Sequence, residues 1–269
     1  MPTSALLLAL AAAFVHALWN VLLARARDPR AATAVALLVA EVVFALPAWA
    51  AWNVHAAVWP FLLASGALQL AYFTLLVAAY RVAPLSVVYP IARGTAPVLV
   101  LIFGVVALGR GTSVGQVLGV CLVGAGILLV RGLQPTVGRG VALGLVIACT
   151  IAVYTLVDKQ GVTHAGALPY LELSMLGPAL VYAATVPRTR LRAELHPATI
   201  VAGIATFGAY CMVLLALQRA SAASVAAVRE TSVVVTALLA SRFLAEPVSR
   251  SRLAGAVLVA GGIALVSLA

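Results

Sequence analysis

Ten apolar runs, separated by short polar breaks, make up nearly the whole chain. They cover residues 4–24, 31–52, 57–80, 84–108, 113–130, 140–157, 167–186, 199–217, 220–244 and 253–269. A hydrocarbon core of about 30 Å is crossed by about 20 apolar residues in a helix, so each run qualifies or nearly does. The breaks carry Arg, Asp, Pro or Gly, and none is long enough for a soluble domain. The pattern predicts an all-α membrane protein of ten transmembrane helices. The first run lacks a positive n-region and is too long for a signal-peptide core, so it reads as a retained helix.

Two of the runs hold an arginine at their middle. In 84–108 the sequence is Tyr89-Pro90-Ile91-Ala92-Arg93-Gly94-Thr95-Ala96-Pro97, and in 220–244 it includes Arg229-Glu230-Thr231-Ser232. Arg93 and Arg229 are 136 positions apart, and the same offset joins Thr95 to Thr231, Ser113 to Ser249, Gly119 to Gly255 and Gly126 to Gly262. The chain therefore divides into two five-helix repeats, 1–132 and 133–269. Five is odd, so the second repeat enters the membrane inverted, an arrangement common among transporters.

The charges follow the same inversion. The break after the first run holds Arg25, Arg27 and Arg30, and its counterpart after the sixth holds only Lys159. The break after the second run has no Lys or Arg, and its counterpart after the seventh holds Arg188, Arg190 and Arg192. Basic residues mark cytoplasmic connections. The odd-numbered connections are then cytoplasmic and both termini lie outside. Trp49, Trp52 and Trp59 around the second connection suit an outer interfacial belt.

Composition removes several function classes. The chain is 64% hydrophobic and 9% charged, with a formal net charge of +10. That charge is scattered singly or in threes between apolar runs, so it does not indicate nucleic acid. Cys121, Cys149 and Cys211 show no CxxC spacing and read as small packing residues, with no metal site. No HExxH, GxSxG or nucleotide-binding loop is present, so no enzyme activity, cofactor or ATP drive is indicated.

The polar and aromatic residues inside the runs are the candidates for function. His16, Trp19 and Asn20 share one face of the first helix. They either hold helices together or line a cavity, and His16 is a candidate for proton coupling. Glu41, mid-helix, pairs with Arg93 or Arg229 or serves substrate or proton. Gln69, Tyr72 and Phe73 share a face of the third helix, and Tyr154 and Asp158 a face of the sixth; the eighth offers Phe207 and Tyr210. Asp158 and Glu172 stand near run ends, where they are expected to be solvated. Tyr89 and Arg93 share a face of the fourth helix, which Pro90 and Pro97 are expected to break, leaving carbonyls to line a cavity. An arginine at such depth costs about 2.5–3.5 kcal/mol and usually faces a bundle interior or a wet cavity. Its forked donors suit carboxylate or phosphate. Arg229 and Glu230 are the matching candidates in the second half, where they either bind solute or partly neutralise each other, and Glu230, like Glu41, is a candidate to balance the arginines or take up a proton. The glycines of the fifth and tenth helices, Gly115, Gly119, Gly255, Gly261 and Gly262, read as helix-packing or homodimer faces.

His-Ala-Leu-Trp-Asn from His16, Tyr-Pro-Ile-Ala-Arg-Gly from Tyr89 and Arg-Glu-Thr-Ser-Val from Arg229 resemble the EamA-type members of the drug/metabolite transporter superfamily, over essentially the whole chain. The resemblance implies a ten-helix basket with a cavity lined by helices 1, 3, 4, 6, 8 and 9. It implies alternating-access movement, mostly export, of a small organic solute such as an amino acid, nucleoside or amphiphile across a bacterial inner membrane. Tyr89, Arg93, Arg229 and Glu230 fall on cavity helices by motif. Relatives commonly keep both termini in the cytoplasm, opposite to this chain's charge bias. Partners on this reading are the solute, membrane lipid and protons as coupling ion. The rival readings are uptake of a charged nutrient and flipping of a lipid carrier.

Overall fold

The structure, a computed structural model, describes residues 1–24, 26–82, 85–131, 138–232, 234–235 and 250–269. The helices are α1 (Thr3–Ala24), α2 (Pro29–Ala50), α3 (Trp59–Val82), α4 (Leu85–Val106), α5 (Val114–Arg131), α6 (Gly138–Gly161) and α7 (Ala167–Ala184). After a short connecting helix, Arg188–Ala193, come α8 (Pro197–Leu217), α9 (Ala222–Arg229) and α10 (Arg250–Leu268). The later part of the ninth apolar run falls outside the described residues.

Among the described residues, Pro29–Ala50, Ala56–Leu76, Gly138–Gly161, Ala167–Ala184 and Pro197–Leu217 are long and apolar enough to cross a membrane. Shorter apolar stretches lie in α1, α4, α5 and α10. The chain is a multi-pass membrane protein. Local signals set several helix starts. Asp28 caps α2 by accepting from the amides of Arg30 and Ala31, with Pro29 in the first turn. Ser221 caps α9 by accepting from the amide of Ser224. Such caps satisfy amides that have no partner inside the helix.

The helices pair across the two halves of the chain. α1 packs on α8 and α3 on α6; α4 packs on α6 and α1 on α9; α2 packs on α8 and α3 on α7. α2 also meets α7, α4 meets α9, and α5 meets α10. At the α5–α10 crossing, a Cβ added to Gly119 would stand 2.6 Å from the carbonyl oxygen of Gly262, and one added to Gly126 would stand 2.6 Å from that of Gly255. Only glycine permits this backbone approach. A Cβ added to Gly115 would stand 3.0 Å from the Cβ of Ala269, just past the end of α10. The glycine face that could have served a homodimer is therefore used by Gly115 and Gly119 within the chain, whereas Gly261 faces open space.

The connections meet in two groups. Those after α1 and α7 meet at one end: the amide of Asp28 donates to Glu194 Oε1 at 2.9 Å, and Arg190 lies 3.6 Å from Asp28. At the other end, the connection after α2 meets that after α6, where Gly166 N donates to Asn53 O at 2.8 Å and His55 N to His164 O at 3.0 Å. Gln218, after α8, donates to Val162 O at 3.2 Å, and Gln116, at the start of α5, to Ser221 Oγ at 2.7 Å. Connections of like parity thus share an end, as a chain that crosses and recrosses a slab requires.

Two sequence expectations need correcting here. α4 continues through Pro90 and Pro97 without interruption. Each proline removes one donor, but the flanking α5 and α6 hold the helix in place. The break comes in the matching segment instead: α9 stops at Arg229, Glu230 is a turn residue, and helical backbone resumes at 231. The amide of Glu230 donates to Ala227 O, three residues back rather than four. Such a tightened turn inside a helical stretch often marks a functional site. The cysteines also differ from expectation, since Cys121 is exposed and Cys149 and Cys211 are half-buried. An apolar thiol on a hydrocarbon-facing surface needs no burial.

Candidate functional site

The break at Glu230 puts a carboxylate at the crossing of α4 and α9. Glu230 Oε1 lies 3.3 Å from Arg93 Nη1 and 3.9 Å from Arg229 Nε. The three residues are 1%, 4% and 5% exposed respectively. Repeating the arginine in both halves thus brings two guanidiniums onto one carboxylate. The sequence predicts the arginines at matching depth and offers Glu230 as an ion-pair residue for them; that one carboxylate oxygen faces both guanidiniums is read from the structure.

Each arginine also meets a side chain of the first helix of its own half. Arg93 Nη2 lies 2.8 Å from His16 Nε2 on α1. Arg229 Nη2 donates to the hydroxyl of Tyr154 on α6, 3.4 Å away. His16 and Tyr154 are 138 positions apart, so the two contacts correspond. Tyr72 and Tyr210 are also 138 apart and flank Tyr154, with ring centroids at 6.2 and 6.4 Å. Aromatic edges and phenols therefore wall the arginine pair on the α3, α6 and α8 side.

Trp19 departs from this grouping. Its ring meets His16 edge-on at 4.8 Å, but it packs toward Leu23, Ala32, Ala36 and Ala202 between α2 and α8. The side chains of Asn20 and Tyr89 lie outside the described residues.

Among the described residues, the salt bridges of Arg93 and Arg229 go to Glu230 and not to Glu41. α2 packs on α7 and α8, not on α4 or α9, and the carboxyl group of Glu41 faces Glu172 of α7 instead. Glu41 is buried.

Asp158 is the residue that sequence reasoning undervalued. It was expected near a solvated end, yet it is fully buried. Tyr170 OH of α7 donates to Oδ1 at 2.8 Å, and Tyr210 OH of α8 donates to Oδ2. Ser65 of α3 lies alongside. Two signals were present in the sequence: Tyr154 and Asp158 are four apart on one helix face, and Asp158 falls 138 positions after Asn20. The sixth helix extends to Gly161, beyond the apolar run, which is why the carboxylate is inside.

Two guanidiniums sharing one carboxylate leave one positive charge unbalanced among these three side chains. Arg229 Nε and Glu230 Oε2 are buried without hydrogen bonds among the described residues. The arrangement can accept a further anionic group.

The model of the EamA-like transporter family matches residues 3–132 and again 138–268. No curated protein matches the chain. A solved crystal structure shares its fold with a TM-score of 0.81 at 17% identity, and the match covers 100% of this chain and 98% of that one.

Proposed function

This chain belongs to the EamA-like transporter family, whose members are membrane transporters rather than enzymes, and we propose that it moves a small organic metabolite bearing a carboxylate or phosphate group. The observation that carries the reading is the buried Arg93–Glu230–Arg229 arrangement. Arg93 and Arg229 bind the anionic group. Glu230 offsets one of the two positive charges and stays between the arginines when the solute binds. Tyr72, Tyr154 and Tyr210 shape the cavity beside the arginines, with His16 on its other wall and Trp19 steadying His16 from behind; Tyr89 and Asn20 are assigned to solute binding on their sequence motifs alone.

The mechanism is alternating access by two inverted five-helix repeats, 1–132 and 133–269, making ten spans. Inversion is supported by contacts that recur when the halves are exchanged. Gly119 against Gly262 becomes Gly255 against Gly126 under the 136 offset, and both approaches occur. The Ala36–Gly203 approach has a counterpart in Ser174–Gly66. A two-fold axis in the membrane plane relates such pairs. Direction is outward, from the cytoplasm of a bacterium across its inner membrane, with the arginine-rich end near Asp28 and Arg190 facing the cytoplasm.

Thermal stability of the purified protein against amino acids, nucleosides, phosphorylated metabolites and amphiphilic cations tests the reading, since a ligand bound only by the folded state raises stability by mass action. The expected result is stabilisation by anionic compounds, lost in Arg93→Ala. Stabilisation by cations or lipids alone, or hits unchanged in the variant, would overturn it.

A further inference from the structure

A carboxylate deep in a protein keeps its charge only at a cost unless a cation or several donors offset it. Asp158 is fully buried and has no salt bridge among the described residues; its donors are the phenols of Tyr170 and Tyr210. Tyr154 stands one turn earlier on the same face of α6. Tyr154 accepts from Arg229 and packs edge-on against Tyr210. Two phenols therefore connect Asp158 to the arginine pair.

The charges give this connection a purpose. Arg93, Arg229 and Glu230 together carry one net positive charge, and an ionised Asp158 cancels it. A monoanion arriving at the arginines would leave the group one charge negative, in a region of low dielectric where an unbalanced charge is expensive. Uptake of one proton restores neutrality. Glu230 is poorly suited to take it, because it stands between both guanidiniums. Glu41 and Glu172 are poorly suited too, because they lie at the α2–α7 contact, away from the arginines.

We propose that Asp158 is the proton-binding site of this transporter, loaded when an anionic solute occupies Arg93 and Arg229 and emptied when the solute leaves. The inference rests on the anion-binding reading of the arginines. The proton comes from water in whichever mouth is open, binds a carboxylate oxygen of Asp158 to give the acid, and returns to water on the other side. No bond in the solute changes. Once protonated, the carboxyl group has an O–H of its own, and one of the two phenols turns its hydroxyl hydrogen away. Solute and proton then cross together, and a monoanion moves without net charge.

The titratable and charged groups around Asp158 come from every packed element. They are Tyr170 of α7, Tyr210 of α8, Arg229 of α9, and Tyr72 of α3 beyond Tyr154. On α6 itself are Tyr154 and Lys159, whose ammonium bonds the carbonyl of Leu217. Arg93 of α4 stands one step further away, behind Glu230.

The test uses the full-length protein in lipid, with pyruvate and methanesulfonate as probes because both stay anionic across the pH range used. Infrared difference spectra of the probe-free protein, acid minus alkaline, should contain a carboxylic carbonyl band that is absent in Asp158→Asn. At fixed pH, a probe should increase that band. Probe affinity in the wild type should rise about tenfold per pH unit lowered, the slope of one linked proton, and should be flat in Asp158→Asn. Tyr210→Phe keeps the carboxyl group but removes a donor, so the Asp158 band must move in it.

A band missing at all pH values, a band present at all of them, an unmoved band in Tyr210→Phe, or the same pH slope in Asp158→Asn as in the wild type would each overturn the proposal. Failure of the underlying reading looks different. Arg93→Gln and Arg229→Gln would then bind the probes as the wild type does, or no probe would bind, whatever the Asp158 band shows.

Discussion

Glu230 Oε1 lies 3.3 Å from Arg93 Nη1, a contact that joins the two halves of the chain at membrane depth. Arg229, the sequence neighbour of Glu230, is 3.9 Å from the same oxygen. The helix break at Glu230 makes this possible, because it turns a carboxylate toward α4 at the level of its arginine.

Removing the shared carboxylate leaves two buried guanidiniums facing each other. Breaking a buried pair by deleting one partner costs about 3–5 kcal/mol. Glu230→Gln is expected to lower the melting temperature clearly, and Arg93→Gln added to it should recover part of the loss. Thermal melts of the two single variants and the double variant measure the coupling. Additive losses would mean that the pair contributes nothing as a pair.

The phenol on Arg229 has a milder role. Tyr154→Phe removes the acceptor but keeps the ring between Tyr72 and Tyr210. A hydrogen bond of this kind contributes about 1 kcal/mol to stability, so the melting temperature should fall only slightly and solute binding should weaken by no more than about fivefold. Isothermal calorimetry with any solute that stabilises the protein checks this.

The glycine crossing predicts a contrast inside one helix. Gly262→Val puts a side chain against the backbone of Gly119, whereas Gly261→Ala points into open space. Overpacking costs about 1–3 kcal/mol, so Gly262→Val should lower stability and yield in the membrane and Gly261→Ala should do neither. Equal effects of the two substitutions would contradict the crossing.

The two groups of connections predict a labelling pattern. Cysteines at His55 and His164 should react with an impermeant maleimide from one side of the membrane, because those residues share an end. Cysteines at Arg27 and Arg188 should react from the opposite side. Right-side-out and inverted vesicles give the answer, and a mixed pattern would contradict the alternation.

Much of this was legible in the chain. The apolar runs located the described helices, five of which are long and apolar enough to cross a bilayer. The 136-residue offset matched Arg93 to Arg229, because identical polar residues at membrane depth are too costly to recur by chance. Less legible was which side chains meet. Pro90 and Pro97 are the usual helix breakers, yet the break falls at Glu230, where no local signal exists and contacts between helices decide. Glu41 looked like a partner for arginine by charge alone, but α2 turns it to Glu172, and helix neighbours cannot be read from hydropathy. Asp158 looked solvated because its apolar run ends at residue 157, whereas the helix runs to Gly161 and buries it among phenols from two other helices.

The most direct test of the central claim is counterflow of a labelled anionic metabolite, chosen from those that stabilise the protein, in vesicles containing wild type, Arg93→Ala or Arg229→Ala. The account predicts rapid counterflow by the wild type and its loss in both variants, with all three inserted and folded. Counterflow at the wild-type rate in either variant would contradict a solute-binding role for the arginine pair.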